Sequence, residues 1–301
     1  MKILWKSLAA VLFLALAVWA IRSDYEETQG AAAAPLATDA APPGGDPSWR
    51  RAPLWDDGRA EFCAYEVTWA RYGHHYPGRA LLILVKESWA PDLEVKADDP
   101  RRDGFDVLKL NHLRDVPTGV YTYHQMASVY LRRDSGALRK LAATSSEACG
   151  VSTAEVVRGR LDTHSYFDGQ GDRSQPYPAG ALPQDGLPAQ LRDYVAGPAP
   201  ATLTVFPSLM FGRFADLRPV TYELARREVG EVEVPAGKVA GVELRLASGD
   251  RFLAYTFEQA PPHRLLRFAD HQGTTYRLAK CERIPYWEMH DPGGEAWLPE
   301  R

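Results

Sequence analysis

Cysteine and methionine are scarce in this sequence of 301 residues, which contains three of the former and four of the latter. Cys63, Cys149 and Cys281 lie far apart, without a CxxC pair and without histidines at zinc-ligand spacing. This spacing excludes the common structural zinc sites and the thioredoxin-like redox motif. We therefore predict no metal site and no cofactor.

Signature motifs of hydrolases are also missing. Cys149 and His164 are residue types that form a nucleophile–base pair, but neither a nucleophile elbow nor an oxyanion-hole motif accompanies them. The polar stretch at residues 168–172 lacks the closing glutamate of a calcium loop. We assign no catalytic residue, and a thiol-dependent hydrolase using Cys149 and His164 remains an alternative function.

An excess of positive charge is absent as well. The chain carries 35 lysine and arginine residues against 39 aspartate and glutamate residues, a formal net charge of −4. Sequence-independent binding of nucleic acid needs concentrated positive charge that releases counterions from phosphates. The composition therefore predicts no nucleic-acid partner, and it leaves the protein partner undefined.

The first 22 residues have the layout of an export signal. Lys2 and Lys6 precede an apolar run at residues 8–21, which approaches the length that crosses a bilayer. Positive charge stays on the cytoplasmic side, so the rest of the chain is expected in the periplasm. We predict an uncleaved signal anchor in the inner membrane; cleavage would release the protein. Residues 23–54, rich in alanine, proline and glycine, are predicted to be an extended linker.

Two of the three cysteines are predicted to form a disulfide. Cys63 lies in the first predicted strand of the folded part, and Cys281 lies in the last regular one. If these strands are neighbours, an oxidising compartment will bridge them. The chain-entropy model assigns such a long loop roughly 4 to 5 kcal/mol of stabilisation. Cys149 is then the odd thiol.

Short strand-like segments dominate the sequence from residue 59 onward. Cys63, Tyr65 and Val67 alternate with outward positions, and residues 81–85 are an unbroken apolar run. Many short strands separated by turn residues are typical of a curled sheet. We predict an all-β fold in which a curved antiparallel sheet forms a barrel or half-barrel, with one short helix near residues 187–195 and long loops, behind an N-terminal membrane helix.

These patterns also define the predicted domain boundaries. The β domain spans residues 55–287, either as one unit or as two halves at residues 55–172 and 200–287. The intervening segment is rich in glycine and proline, which favours loops. A C-terminal tail follows at residues 288–301.

A set of short motifs in the first half carries a family resemblance. They are Trp55-Asp56-Asp57-Gly58-Arg59-Ala60-Glu61, Val107-Leu108-Lys109-Leu110-Asn111, Thr118-Gly119-Val120-Tyr121, Ser145-Ser146-Glu147 followed by Cys149-Gly150, and His164-Ser165-Tyr166-Phe167. Together, over residues 55–172, they resemble a family of uncharacterised bacterial envelope proteins, often predicted lipoproteins. The chain departs from it at Ala148, where the family often has tryptophan, and in lacking an N-terminal lipidated cysteine. The resemblance implies an envelope location and no specific activity.

The predicted binding site combines aromatic and polar side chains. Tyr121 and Tyr123 lie on the same face of a predicted strand and would line a pocket for an apolar ligand. Arg71 and Lys109 would meet the polar head of that ligand. The full predicted set is Arg71, Lys109, Asn111, Tyr121, Tyr123 and His164. The predicted function is a periplasmic, non-enzymatic binding or transfer module for an apolar or amphipathic envelope molecule such as a lipid. The other alternative is a protein-interaction scaffold without a small-molecule site.

Overall fold

The computed structural model describes residues 40–99, 101–214 and 216–298, and these residues form one sheet of 16 strands. The strands are β1 (Ala60–Arg71), β2 (His74–Ala90), β3 (Val95–Lys96), β4 (Phe105–Thr118), β5 (Tyr121–Arg132), β6 (Leu138–Glu147), β7 (Gly150–Val157), β8 (Arg160–His164), β9 (Asp172–Pro176), β10 (Leu182–Pro183), β11 (Thr202–Phe206), β12 (Val220–Val234), β13 (Gly237–Ser248), β14 (Arg251–Glu258), β15 (Leu265–Asp270) and β16 (Thr275–Ile284). The helices are α1 (Ser48–Arg51), α2 (Leu187–Gln190) and α3 (Asp193–Ala196), with 3-10 turns at Pro53–Asp56, Gln184–Gly186, Tyr286–Glu288 and Gly294–Trp297.

The strands follow the order β10-β11-β12-β13-β14-β15-β16-β1-β2-β4-β5-β6-β7-β8-β9, with β3 paired to β2. All neighbours are antiparallel except β10 and β11, which are parallel. The pairing of β1 with β16 joins the two sequence halves into one continuous sheet. The predicted all-β class and curved sheet are confirmed, and within the described residues the sheet is open, with β9 and β10 at its edges.

The concave face of the sheet is filled by the chain itself. The predicted helix at residues 187–195 occurs as the two single-turn helices α2 and α3. Leu187 of α2, Tyr194 of α3 and the intervening Leu191 are fully buried. They belong to one apolar core with the inward-facing residues of β1, β4, β5 and β13. Part of the segment at residues 173–199, which its glycine and proline content predicted to be loops, therefore packs into the concave face of the sheet.

The folded part extends beyond both predicted boundaries. Trp49 is buried, its indole N–H donates to the Asp193 carboxylate at 2.7 Å, and Trp55 donates to the Trp49 carbonyl oxygen at 2.6 Å. At the other terminus, the Trp297 ring packs edge-on against Phe62 with 4.7 Å between centroids, covering the convex face of β1. The end of the predicted linker and most of the predicted tail thus belong to the fold.

The predicted membrane anchor at residues 1–22 lies outside the described residues. None of the helices in the described ranges has the length and apolar character needed to cross a bilayer.

Gly78, near the start of β2, marks a close approach between strands. A Cβ there would lie 2.6 Å from the Asp115 carbonyl oxygen of β4 and 2.7 Å from a Val116 methyl group. We expect Gly78→Ala to lower the free energy of unfolding by about 1–3 kcal/mol, because backbone atoms have to move to admit the methyl group. Urea unfolding measures this loss. Gly169→Ala, which meets open space, is the control; equal stability of the two variants would contradict the prediction.

Candidate cationic cleft

The antiparallel order places alternate turns at opposite ends of the sheet. We call one of them the cleft end; it carries the turns at residues 72–73, 119–120, 148–149, 249–250 and 271–274. The long connection at residues 207–219 also lies there, because β11 ends and β12 begins at this end. The opposite end, called the distal end, carries the turns at residues 133–137, 158–159, 235–236 and 259–264.

A cleft of about 360 Å³ opens at the cleft end. Its volume lies within the range of small-molecule sites, roughly 300–1,000 Å³. Four arginines line it: Arg71, Arg213, Arg218 and Arg251. Apolar side chains complete the wall, namely Phe211, Phe214, Leu217, Val220 and Leu253. The cleft therefore combines concentrated positive charge with an apolar surface.

Two carboxylates, Asp216 and Asp270, also line the cleft, so that four arginines face two acidic side chains. Arg218 pairs with Asp216 at 2.9 Å. The Asp270 carboxylate is engaged within its own turn, where it accepts hydrogen bonds from the backbone of residues 272 and 274. Arg71, Arg213 and Arg251 make no ion pair with a carboxylate anywhere in the described part of the chain. A guanidinium stays protonated throughout the physiological pH range, so these charges are permanent.

Aromatic rings hold two of the unpaired arginines in place. The Arg71 guanidinium carbon lies 4.7 Å from the Tyr72 ring centroid and 6.0 Å from that of Tyr123. Its Nε atom is buried without a hydrogen-bond partner. The Arg213 guanidinium carbon lies 3.8 Å from the Phe167 ring centroid. Cation–π contacts orient these groups without cancelling their charge, which leaves them able to bind an anion.

A hydrogen bond joins the two phenols beside Arg71. The hydroxyl oxygens of Tyr72 and Tyr123 are 2.5 Å apart. The hydrogen bond with Tyr123 lowers the pKa of Tyr72, and the charge of Arg71 acts in the same direction. Burial raises the pKa of Tyr123. Either hydroxyl can donate in this hydrogen bond, and the contact holds both rings beside Arg71.

Behind the cleft lies a chamber of only about 50 Å³, which is room for water rather than for an acyl chain. The Arg114 Nε donates to Gln125 at 2.8 Å, and the His112 Nε2 lies 3.1 Å from the Tyr276 hydroxyl oxygen. Burial, together with the charge of Arg114, lowers the pKa of His112 to about 3. His112 is thus neutral and adds no charge to the chamber. In the described part of the chain, this chamber is too small to be the roomy apolar pocket that the sequence predicted inside the sheet.

A loop at residues 208–214 separates the chamber from the cleft. Asp185, whose pKa burial raises, accepts a hydrogen bond from the Leu209 N–H at 2.7 Å. Gln125 donates to the Met210 carbonyl oxygen, and Ser152 donates to that of Gly212 at 2.9 Å. Phe211 lines both spaces. Side chains of the concave face therefore fix this loop as the inner wall of the cleft.

The structure brings three of the predicted site residues together. Tyr121 and Tyr123 pack with 5.6 Å between ring centroids, and Arg71 lies beside Tyr123. Lys109 and Asn111 are elsewhere: Lys109 pairs with Glu87 at 2.5 Å, and Asn111 accepts a hydrogen bond from Ser128. Side chains alternate along β4, so these two point away from the face that carries Leu108 and Leu110. Lys109 and Asn111 therefore lie on the opposite face of the sheet from Tyr123.

The cysteines are placed as the sequence predicted. Cys63 and Cys281 form a disulfide between directly opposed positions of β1 and β16, and Cys149 is a free, exposed thiol. His164 is exposed on β8, where its Nδ1 lies 3.2 Å from an Asp172 oxygen. Within the described residues no hydrogen bond joins Cys149 to His164. The geometry therefore lacks the nucleophile–base contact that the hydrolase alternative requires, and His164 does not line the cleft.

The motif at residues 55–61 stabilises the fold. Glu61 forms a buried ion pair with Arg192. Asp56 binds Arg133 at 2.7 Å, and Asp57 binds Arg283 at 2.7 Å. These contacts fasten the start of β1 to distant segments. The cleft arginines Arg213 and Arg251 stand outside every motif, and single arginines in loops and at strand starts carry no signal that would have identified them.

No family model matches the chain, and no curated protein matches it. Among solved structures it is similar to a beta-barrel-like protein of the domain of unknown function DUF1849 from Brucella abortus. The TM-score is 0.42 at 9% sequence identity, over 75% of this chain and 98% of that chain. So distant a likeness carries no argument about function.

Proposed function

We propose that this protein is a non-enzymatic binding module for a small amphipathic molecule with an anionic head, which it holds in the cationic cleft. One observation carries the proposal: Arg71, Arg213 and Arg251 line a single cleft without carboxylate partners in the described residues. Concentrating unpaired like charges is unfavourable unless an anion compensates them. A bound carboxylate or phosphate would supply that compensation.

The chemistry of the wall favours an amphipathic ligand over a bare anion. Guanidinium groups bind carboxylate and phosphate through paired, charge-assisted hydrogen bonds. Phe211, Phe214 and Leu253 present apolar surface in the same cleft. Burying part of an apolar tail against them would add about 25 cal/mol for each Å² removed from water.

The filled interior limits the ligand's size. A chamber of about 50 Å³ cannot take an acyl chain, so a long tail would have to leave through the mouth of the cleft. The ligand proposed from the sequence is therefore restricted in how it binds. The protein binds the head and the first part of a tail, and it does not enclose a whole lipid.

We place this activity outside the cytoplasm. The Cys63–Cys281 disulfide supports an oxidising compartment, because reducing systems keep most cytosolic thiols free. The apolar run at residues 8–21 supports export to the periplasm, with the inner-membrane tether as part of the proposal.

We expect Arg71→Gln, Arg213→Gln and Arg251→Gln each to weaken binding of octyl phosphate by about tenfold, because each removes a charge-assisted contact with the anion. Calorimetric titration below the micelle concentration measures this. Octyl glucoside, with the same tail and no charge, should bind at least about tenfold more weakly. Inorganic phosphate separates the contribution of the head from that of the tail.

Arg101→Gln is the matched control for these variants. Arg101 is an exposed arginine at the distal end, paired with Asp99 at 2.9 Å. The Arg101→Gln variant should bind octyl phosphate with the same affinity as the unaltered protein. Equal affinity for octyl phosphate and octyl glucoside, or an equal loss in the Arg101→Gln variant, would contradict the proposal.

A further inference from the structure

Four large apolar side chains are exposed at the cleft end. They are Tyr72, Val120, Val151 and Tyr166, with exposures between 38% and 101%. Tyr72 and Val120 occupy the tips of the β1–β2 and β4–β5 hairpins, Val151 starts β7, and Tyr166 follows β8. Antiparallel pairing brings these positions to the same end of the sheet. They form a discontinuous apolar rim, called the tip rim below.

The conformation of Tyr72 reinforces this arrangement. Its φ is 55°, and the following Gly73 has a φ of 74°. A two-residue hairpin turn with both residues in the left-handed region favours asparagine or aspartate at the first position. A tyrosine there costs free energy. Its ring contacts Arg71 and its hydroxyl is hydrogen-bonded to Tyr123, yet 57% of the residue stays exposed and accessible to an outside surface.

The charged residues next to the tip rim distinguish the cleft end from the distal end. Arg71 adjoins Tyr72 in sequence, and Arg213 contacts the ring of Phe167, the neighbour of Tyr166. Exposed apolar residues also occur at the distal end, at Leu93 and Val95. The nearby Arg101 and Arg102, however, pair with aspartates. At the tip rim, Tyr72 adjoins Arg71 and Tyr166 follows the contact of Arg213 with Phe167, while the Tyr166 hydroxyl donates to the Glu147 carboxylate.

We propose that the cleft end docks on an anionic lipid bilayer. The tip rim would enter the headgroup region, where tyrosine rings are commonly found, and the arginines would meet anionic headgroups. Scattered apolar tips with adjacent positive charge suit an interface of this kind, because apolar burial and electrostatic attraction add. Docking in this orientation would bring the mouth of the cleft to the source of an amphipathic anion. The inference goes beyond the proposed function and rests on the tip rim.

Cys149 provides a reporter at the cleft end, because it is the free, exposed thiol in the β6–β7 turn. The full chain is labelled there with bimane and mixed with vesicles of phosphatidylcholine and phosphatidylglycerol that contain brominated lipid. The matched label is placed at the distal end by Leu93→Cys in a Cys149→Ser background. The comparison reports which end faces the lipid, whatever residues 1–22 contribute to binding.

We expect quenching by brominated lipid to be at least about twofold stronger at position 149 than at position 93. It should fall in pure phosphatidylcholine and in high salt, which screens the arginines. Val120→Asp should weaken the docking signal by about fivefold, since a charge replaces an apolar tip. Val95→Asp at the distal end should leave it unchanged.

Equal quenching at the two labels, or an unchanged signal in Val120→Asp, would overturn the docking proposal. Val120 does not line the cleft, so octyl phosphate should bind Val120→Asp normally. Failure of octyl phosphate to bind the unaltered protein would contradict the proposed function alone, because the bimane signal needs no ligand in the cleft.

Discussion

Arg192→Met is expected to lower the free energy of unfolding by about 3–5 kcal/mol, because it leaves a buried carboxylate without its partner. The side chains of Arg192 and Glu61 are only 3% and 4% exposed. Two nitrogens of the guanidinium donate to the two Glu61 oxygens at 2.6 and 3.2 Å. A third contact runs to the Pro262 carbonyl oxygen at 3.1 Å. Methionine keeps most of the apolar stem and removes all of these donors.

Urea unfolding of Arg192→Met, of Arg227→Met and of a double variant tests this explanation. Arg227 pairs with Glu243 at 3.2 Å on the surface, where the loss should stay below about 1 kcal/mol. Adding Glu61→Gln to Arg192→Met removes the stranded charge, so the double variant should recover part of the lost stability. If Arg192→Met costs no more than Arg227→Met, the ion pair does not hold the core as described.

Removing the Cys63–Cys281 disulfide is the second large change. The bond closes a loop of 218 positions and joins the first long strand of the sheet to the last. The entropy of the unfolded chain alone gives about 4–5 kcal/mol for so long a loop. We expect the Cys63→Ala/Cys281→Ala protein to melt about 10–20 °C below the unaltered protein, given the usual scaling of the melting temperature with stability in chains of this size.

Thermal unfolding followed by circular dichroism measures the shift, and addition of a reductant to the unaltered protein should reproduce it. Cys149→Ala is the matched control, because this exposed thiol makes no disulfide. Its melting temperature should stay close to that of the unaltered protein. A double alanine variant as stable as Cys149→Ala would show that β1 and β16 stay paired without the covalent link.

Both experiments act on β1, and this has a structural cause. Glu61 and Cys63 lie two positions apart on this strand, so both side chains project from its inward face. Glu61 reaches the helical filling through Arg192, while Cys63 reaches the last strand. The two halves of the chain and the filling of the sheet therefore meet at the start of β1. We infer that the motif at residues 55–61 reflects stability rather than recognition.

What the sequence determined by itself is the part that depends on local pattern. Alternation of apolar and polar residues predicted strands, and the positions of Cys63 and Cys281 in the first and last of them predicted the disulfide. The strands follow from the two-residue period, which is a local property. The disulfide also required β1 and β16 to be neighbours, a long-range condition that the structure meets. Arg71, Tyr121 and Tyr123 lie close together because each is at or next to a hairpin turn of the cleft end; Arg71 lines the cleft and the two tyrosines do not.

The tertiary structure alone decided which face of each strand is concave and what fills it. A shift of one position exchanges the two faces of a strand. Lys109, which was predicted at the site, lies on one face of β4, while Arg114 lies on the opposite face and lines the chamber. Arg213 and Arg251 are 38 positions apart in the sequence, and nothing local to either predicts that one cleft collects both. Their convergence follows from the curvature of the whole sheet. The small size of the chamber also follows from this curvature, because residues 187–196 occupy the interior of the curved sheet.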